Sequence, residues 1–115
     1  MTLLICGSRS WTNKKAIRDY VKLMEPTRII SGGAAGADTL AEDIARELGI
    51  PVQVYRANWD ELGAAAGPIR NSEMLESGVD RIAAFRAQGE SPGTDDMIYK
   101  AFTTNKPVDV FWSEK

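Results

Sequence analysis

Short apolar runs alternate with amphipathic ones along the whole chain. "TLLIC" (residues 2–6) is apolar, stops at Gly7 and predicts a buried strand. Ala16, Ile17, Tyr20, Val21 and Met24 then recur at helical spacing, with Thr12 as N-cap and Pro26 as the stop. "RII" (28–30) is a second strand. Ala37, Leu40, Ala41, Ile44, Ala45 and Leu48 form the next apolar stripe; Glu42, Asp43, Arg46 and Glu47 lie opposite, and Gly49 ends it. "VQVY" (52–55) is a third strand.

The stretch "RANWDELGAAAGPI" reads as irregular and long for a connection, which marks it as a functional loop. A helix is expected from Arg70 to Ser77, closed by Gly78, and a fourth strand at "RIAAF" (81–85). A second long loop, "RAQGESPG", leads to a helix over 94–102 with Met97, Ile98, Ala101 and Phe102 inward. "VDVFW" (108–112) is the last strand. Strands and helices thus alternate from end to end. That order predicts an α/β, Rossmann-like three-layer domain with a parallel five-stranded sheet, and a single domain over residues 1–115.

Composition narrows the chemistry. With no histidine, Ser-His-Asp and Cys-His catalysis and the usual zinc sets are excluded, and no metal or cofactor is expected. Cys6 is the single cysteine, so no internal disulfide forms. "MTLLICGSRS" lacks a basic leader and a long apolar core, and a cytoplasmic home is expected. A net charge of −2 leaves no broad basic surface for duplex nucleic acid.

In an open parallel sheet, ligands bind beyond the carboxyl ends of the strands. "SGGAAGAD" falls there, between strand two and the helix it feeds. Ser31, Gly32, Gly33 and Gly36 let backbone amides approach an anion, and Asp38 lies in the first helical turn. A tight turn with glycine at positive φ explains such a cluster equally well. Gly7, Ser8 and Arg9 follow strand one on the same edge. Arg56 follows strand three, Arg70 and Asn71 open a helix, and Arg86 follows strand four. Four of the eight arginines therefore gather where a phosphate would bind, and no lysine does. Gly93 and Thr94, in "SPGTDDM", supply a second glycine-hydroxyl turn; Thr94 is either a helix cap or a phosphate contact.

Taken together, "GSR", "SGGAAGADTLAEDIARELGIPV", "AAGPIRNSEML" and "SPGTDDMI" resemble the YspA/YpsA-related branch of the SLOG superfamily, in the same order and over nearly the whole chain. That superfamily includes DprA DNA-processing proteins and Lonely Guy phosphoribohydrolases. The resemblance implies a nucleotide or nucleotide-derived ligand at the glycine loops. Arg70 and Met74 match the hydrolase branch's R-K-x-x-M pattern, with Asn71 in place of lysine. Gly93 and Thr94 match its P-G-G-x-G-T-x-x-E, but Met97 stands at the glutamate. A carboxylate beside the sugar stabilises the charge that develops when an N-glycosidic bond breaks, and methionine does not. Asp96 is the neighbour, one helical step of about 100° away; Asp38 is the second carboxylate candidate and Arg70 the phosphate holder.

Trp59 either stacks on a base or packs its loop onto the domain. Cys6 is a core residue or, beside Arg9, a reactive thiol. "GAAAG" (63–67) is a hinge or a tight loop. The reading reached is a Gly/Arg-lined pocket for a nucleotide-derived small molecule, in a sensor or sequestering module. The alternatives are a nucleoside-monophosphate N-glycosidase and DprA-like single-strand DNA binding, against which the acidic balance counts. A homodimer is compatible with so small a sheet, and no membrane association is expected.

Overall fold

The structure, a computed structural model, describes residues 1–113. Five strands form one fully parallel sheet: β1 (Thr2–Gly7), β2 (Arg28–Ser31), β3 (Val52–Val54), β4 (Arg81–Arg86) and β5 (Val108–Trp112). Their spatial order is β3-β2-β1-β4-β5. The chain therefore winds outward from β1 in one direction and then returns to β1's other side. The reversal falls between β1 and β4, which leaves a crevice beyond their carboxyl ends.

Alternation along β1 builds two cores. Leu3 and Ile5 point to one face, where α1 (Lys14–Met24) contributes Ile17, Tyr20 and Val21, and α2 (Ala37–Glu47) contributes Ala41, Ile44 and Ala45. Phe85 stacks on Phe111 there, ring centroids 4.8 Å apart, with Trp11 and Tyr20 against its edge. Leu4 and Cys6 point to the other face. They meet Met74 and Leu75 of α4 (Ala66–Glu76) and Met97 and Ala101 of α5 (Pro92–Thr103). Each fully buried aliphatic side chain of this kind contributes about 1.5–3 kcal/mol. Among the described residues no helix is long and apolar enough to cross a membrane.

The element order matches the alternation in the sequence, with local corrections. Asn13, not Thr12, caps α1, accepting from the Ala16 amide at 3.0 Å. Ser91, not Thr94, is the N-cap position of α5, because Pro92 occupies the first helical position. Phe102 faces outward and is exposed, since α5 has turned Met97 and Ala101 to the sheet. The largest difference lies in residues 56–69. That stretch holds a short helix, α3 (Trp59–Leu62), then a 3-10 turn (Gly63–Ala65) that runs directly into α4. Pro68 sits in the first turn of α4, where no backbone donor is needed, so it does not delay the helix. Arg70 consequently lies inside α4 and does not open it.

Candidate functional site

The two loops after β1 and β2 touch backbone to backbone. The Ala37 amide donates to Ser8 O at 3.3 Å, and Gly36 has φ +78. A Cβ on Gly36 would stand 2.4 Å from the carbonyl oxygens of Ser8 and Arg9. Gly7 is equally constrained, its position for a Cβ being 2.3 Å from Phe85 O. These glycines are needed because only a backbone without Cβ lets the loops meet.

The contact brings Arg9 over the glycine loop. Arg9, Arg56 and Arg70 then line one lobe of about 280 Å³ together with Gly32, Gly33 and Trp59. Arg9, Ala34, Trp59 and Arg70 are shared with a larger lobe of about 650 Å³ that runs across the ends of β1 and α4 to the start of α5. Its wall includes Cys6, Gly7, Asp38, Asn71, Met74 and the Ser91–Thr94 turn. Both lobes together fall in the size range of sites for small organic ligands.

Arg70 is held, not waving. Its Nη1 donates to Gly32 O at 2.7 Å and to Tyr55 O at 3.4 Å, and its Nε to Asn71 Oδ1 at 3.1 Å. Asn71 in turn donates Nδ2 to Gly93 O and to Asp96 Oδ2. One amide thus couples the arginine to the entry of α5. A hydroxyl chain supports the same entry. The Ala87 amide donates to Ser8 Oγ, Ser8 Oγ to Ser91 Oγ, and Ser91 Oγ to Thr94 Oγ, at 2.9, 3.0 and 2.8 Å. Thr94 terminates the chain on the cleft wall. The α5 amino end, with its partial positive charge, faces the same space.

Asp38 sits in the first turn of α2 and lines the larger lobe, 5% exposed. Its Oδ2 accepts from the Ala34 amide at 3.1 Å. Burial pushes its carboxyl up to about 6; the Ala34 amide, Arg70 and Arg9 oppose that rise, and Glu42 adds to it. Burial likewise pushes the Cys6 thiol far up, with the nearby Asp38 carboxylate adding to the shift against Arg70. Cys6 is buried in the core beside Met74 and Met97, which is the core-residue reading, and burial works against a reactive thiolate there.

The sequence-derived residues separate into wall and support. Gly7, Arg9, Gly32, Gly33, Asp38, Arg70, Asn71, Gly93 and Thr94 line one lobe or the other. Ser8, Ser31 and Gly36 lie behind the wall. Ser31 Oγ is fully buried and donates to Glu42 Oε2 at 2.9 Å. Asp96 accepts from Asn71 and Lys100 and does not reach the cleft wall. Met97 is entirely buried in the lower core. Arg86 departs from expectation. It forks onto Asp95 at 2.8 and 3.0 Å and donates to Gly89 O at 2.7 Å, clamping the β4–α5 loop from outside the cleft. Its charge is already matched there. Trp59 is half-exposed on the cleft rim, with the Arg9 guanidinium 6.0 Å from its ring. Ser91 and Glu90 also line the site and were not singled out from sequence. Proline after Ser91 was the available signal, since proline favours the position after a helix cap.

Comparison with known proteins agrees with this architecture. A chain of DNA processing protein A (DprA) from Streptococcus pneumoniae superposes with a TM-score of 0.60 over 96% of the present chain, at 14% identity. The present chain spans 58% of that one. The Gene 61 protein of Mycobacterium phage D29 is 34% identical, over 92% of each chain. Residues 1–61, which carry β1 to β3, the loops that follow β1 and β2, and Arg56, match the YspA, cpYpsA-related SLOG family. With more than half of the chain inside that match, and with a relative of this identity along nearly its full length, the protein belongs to the YspA, cpYpsA-related SLOG family.

Proposed function

We propose that the cleft binds a nucleotide or nucleotide-derived phosphoryl ligand, as the ligand site of a sensor or sequestering module. The observation that carries this reading is the convergence of Arg9, Arg56 and Arg70 on one glycine-lined lobe. Three guanidiniums without an acidic ion-pair partner among the described residues, beside backbone amides, form a receptor for a multiply charged oxyanion. The larger lobe has room for the remainder of a nucleotide, with Trp59 and Met74 as apolar surfaces and Thr94 as a hydroxyl contact.

Asp38 supports a second reading, hydrolysis of a nucleoside monophosphate at its N-glycosidic bond. It is the carboxylate on the cleft wall that is buried, and its raised value suits proton transfer near neutrality. Asp96, the other candidate, is occupied by Asn71 and Lys100. Single-strand DNA binding of the DprA kind needs a continuous basic groove with stacking aromatics. Here the three arginines gather in one small lobe, so this reading ranks below the other two.

Calorimetric titration with AMP, ADP-ribose and cyclic nucleotides tests the first reading. Binding is expected for at least one of them. Arg70→Ala should weaken it by about 10- to 100-fold, the loss of a hydrogen-bonded charge. Arg86→Met, which alters the clamp outside the cleft, should leave affinity within about threefold in the folded fraction. No heat and no thermal shift with any of these ligands would overturn the proposal. Release of free base from AMP, lost on Asp38→Asn, would move the second reading to the front.

A further inference from the structure

Two buried side-chain polar atoms lack a hydrogen-bond partner among the described residues: Arg28 Nε and Asp38 Oδ1. Arg28 begins β2, at the end of the sheet away from the cleft. Asp38 lines the cleft. Its two oxygens are treated differently: Oδ2 takes the Ala34 amide, and Oδ1 takes nothing. A buried acceptor left unpaired is costly, and one on a ligand-site wall points to a donor that arrives with the ligand.

The surroundings narrow the donor's chemistry. A phosphate is repelled by the carboxylate. A cationic group is repelled by Arg9 and Arg70, both close enough to influence Asp38 electrostatically. An uncharged O–H or N–H remains. Its distance along the ligand is limited as well. Ala34, whose amide holds Oδ2, and Arg70, Asp38's electrostatic neighbour, both wall the arginine lobe. The shared wall points to a donor on the chemical unit that adjoins the phosphoryl group. In a nucleotide that unit is the sugar; the base, with its amine, lies farther off.

We propose that Asp38 reads the sugar: its Oδ1 accepts a hydrogen bond from a ribose hydroxyl, so the site prefers ribose phosphates over their deoxy counterparts. The inference rests on the phosphoryl-ligand reading above. A hydroxyl that reaches a buried carboxylate makes a charge-assisted bond shielded from water. Its removal should cost about tenfold or more in affinity.

The test is calorimetric titration at about pH 8 with AMP, 2′-deoxy-AMP, 3′-deoxy-AMP and IMP, and with ribose 5-phosphate against 2-deoxyribose 5-phosphate. The wild-type chain should favour AMP over at least one deoxy form by about tenfold, and AMP and IMP should bind alike. Asp38→Asn should bring the ribo-to-deoxy ratio within about threefold. Arg70→Ala should weaken every ligand together and preserve the ratio. Equal binding of AMP and both deoxy forms by wild type overturns the sugar assignment while the phosphoryl reading stands. So does an Asp38-dependent preference for AMP over IMP in place of ribo over deoxy, which would assign the donor to the base amine. Binding of none of these compounds overturns the sugar assignment; binding of none of them and of neither ADP-ribose nor the cyclic nucleotides overturns both.

Discussion

Gly36→Ala is expected to lose about 3–5 kcal/mol of stability, much of what a domain of this size has. Two costs add. The backbone at φ +78 and ψ −126 lies in a region that residues with a Cβ rarely enter, worth about 1–3 kcal/mol. The new methyl would also stand 2.4 Å from the carbonyl oxygens of Ser8 and Arg9, so the two loops must separate. Forced overpacking of that kind costs about 1–3 kcal/mol more. Gly49→Ala is the matched control. Gly49 has φ +69, but a Cβ there meets nothing within 4 Å. Its loss should be only the backbone part, about 1–2 kcal/mol. Urea unfolding of the two variants separates the costs. A Gly36→Ala midpoint no lower than that of Gly49→Ala would mean that the loops do not meet as described. Where Gly36→Ala still folds, Arg9 should be displaced from the glycine loop, and phosphoryl-ligand affinity should fall with it.

Asp38→Asn should stabilise the protein near pH 8 by about 2–3 kcal/mol, while it removes the proposed sugar contact. Burial pushes the wild-type carboxyl up to about 6 in the folded chain, from the ordinary aspartate value of 3.8 that the unfolded chain keeps. Between those values the folded state holds more protons than the unfolded one. Stability from this group is thus complete below about 4 and is lost as pH rises through 6. A rise from 3.8 to about 6 corresponds to roughly 3 kcal/mol. Asparagine carries no charge to bury, so the variant keeps that stability at high pH. It also retains an acceptor for the Ala34 amide. The gain should shrink to near zero at about pH 4, where the wild-type carboxyl is neutral in both states. Arg70, Arg9, Glu42 and the Cys6 thiol face the same carboxyl, and all four are unchanged in the variant. Thermal unfolding of both proteins from about pH 4 to pH 8 measures the difference. A loss of stability at pH 8 would mean that the buried carboxylate is compensated within the chain, and would remove its need for a ligand donor.

A residue that weakens the fold and lines a cleft is the pattern expected of a binding site. Asp38 fits it. So does the contrast between the arginines. Arg86 is neutralised by Asp95 and Arg81 by Asp109, and both tie elements together. Among the described residues Arg9, Arg56 and Arg70 have no carboxylate in an ion pair, and they share one lobe. The difference between a clamp and the proposed receptor lies in what already neutralises the charge.

Local physics made much of the molecule legible in advance. Alternation of apolar runs defined the strands, because a strand buried on both faces must be apolar throughout. Helical spacing in α1 and α2 defined most of the faces that meet the sheet, but Glu42, expected opposite the stripe, is buried against Ser31 of β2, and Leu48, expected within it, is exposed at the end of α2. The glycine-rich turn marked the place where backbones approach. Motif order pointed to the SLOG family, which residues 1–61 match. What misled was equally local. Glycine and proline in "GAAAGPI" read as loop, although proline is harmless in a helix's first turn and alanine favours the helix. Phe102 read as inward from spacing alone, since a period gives a face without saying which neighbour covers it.

The roles within the site were decided only by the tertiary structure. No pattern in the chain distinguishes Arg86 from Arg70, or Asp96 from Asp38, because each pair shares residue type and position near a strand end or a helix start. What separates them is the partner that folding brings: Asp95 for Arg86, Lys100 and Asn71 for Asp96, and for Asp38, among the described residues, one amide on one oxygen. Sequence determines which charges exist and the edge of the sheet on which they gather. Whether a charge is neutralised depends on which groups the folded backbone turns toward it: Asp95 is nine residues from Arg86 and Lys100 four from Asp96, yet only the packed loop and helix aim them at one another, and Asn71 reaches Asp96 from 25 residues away on another helix.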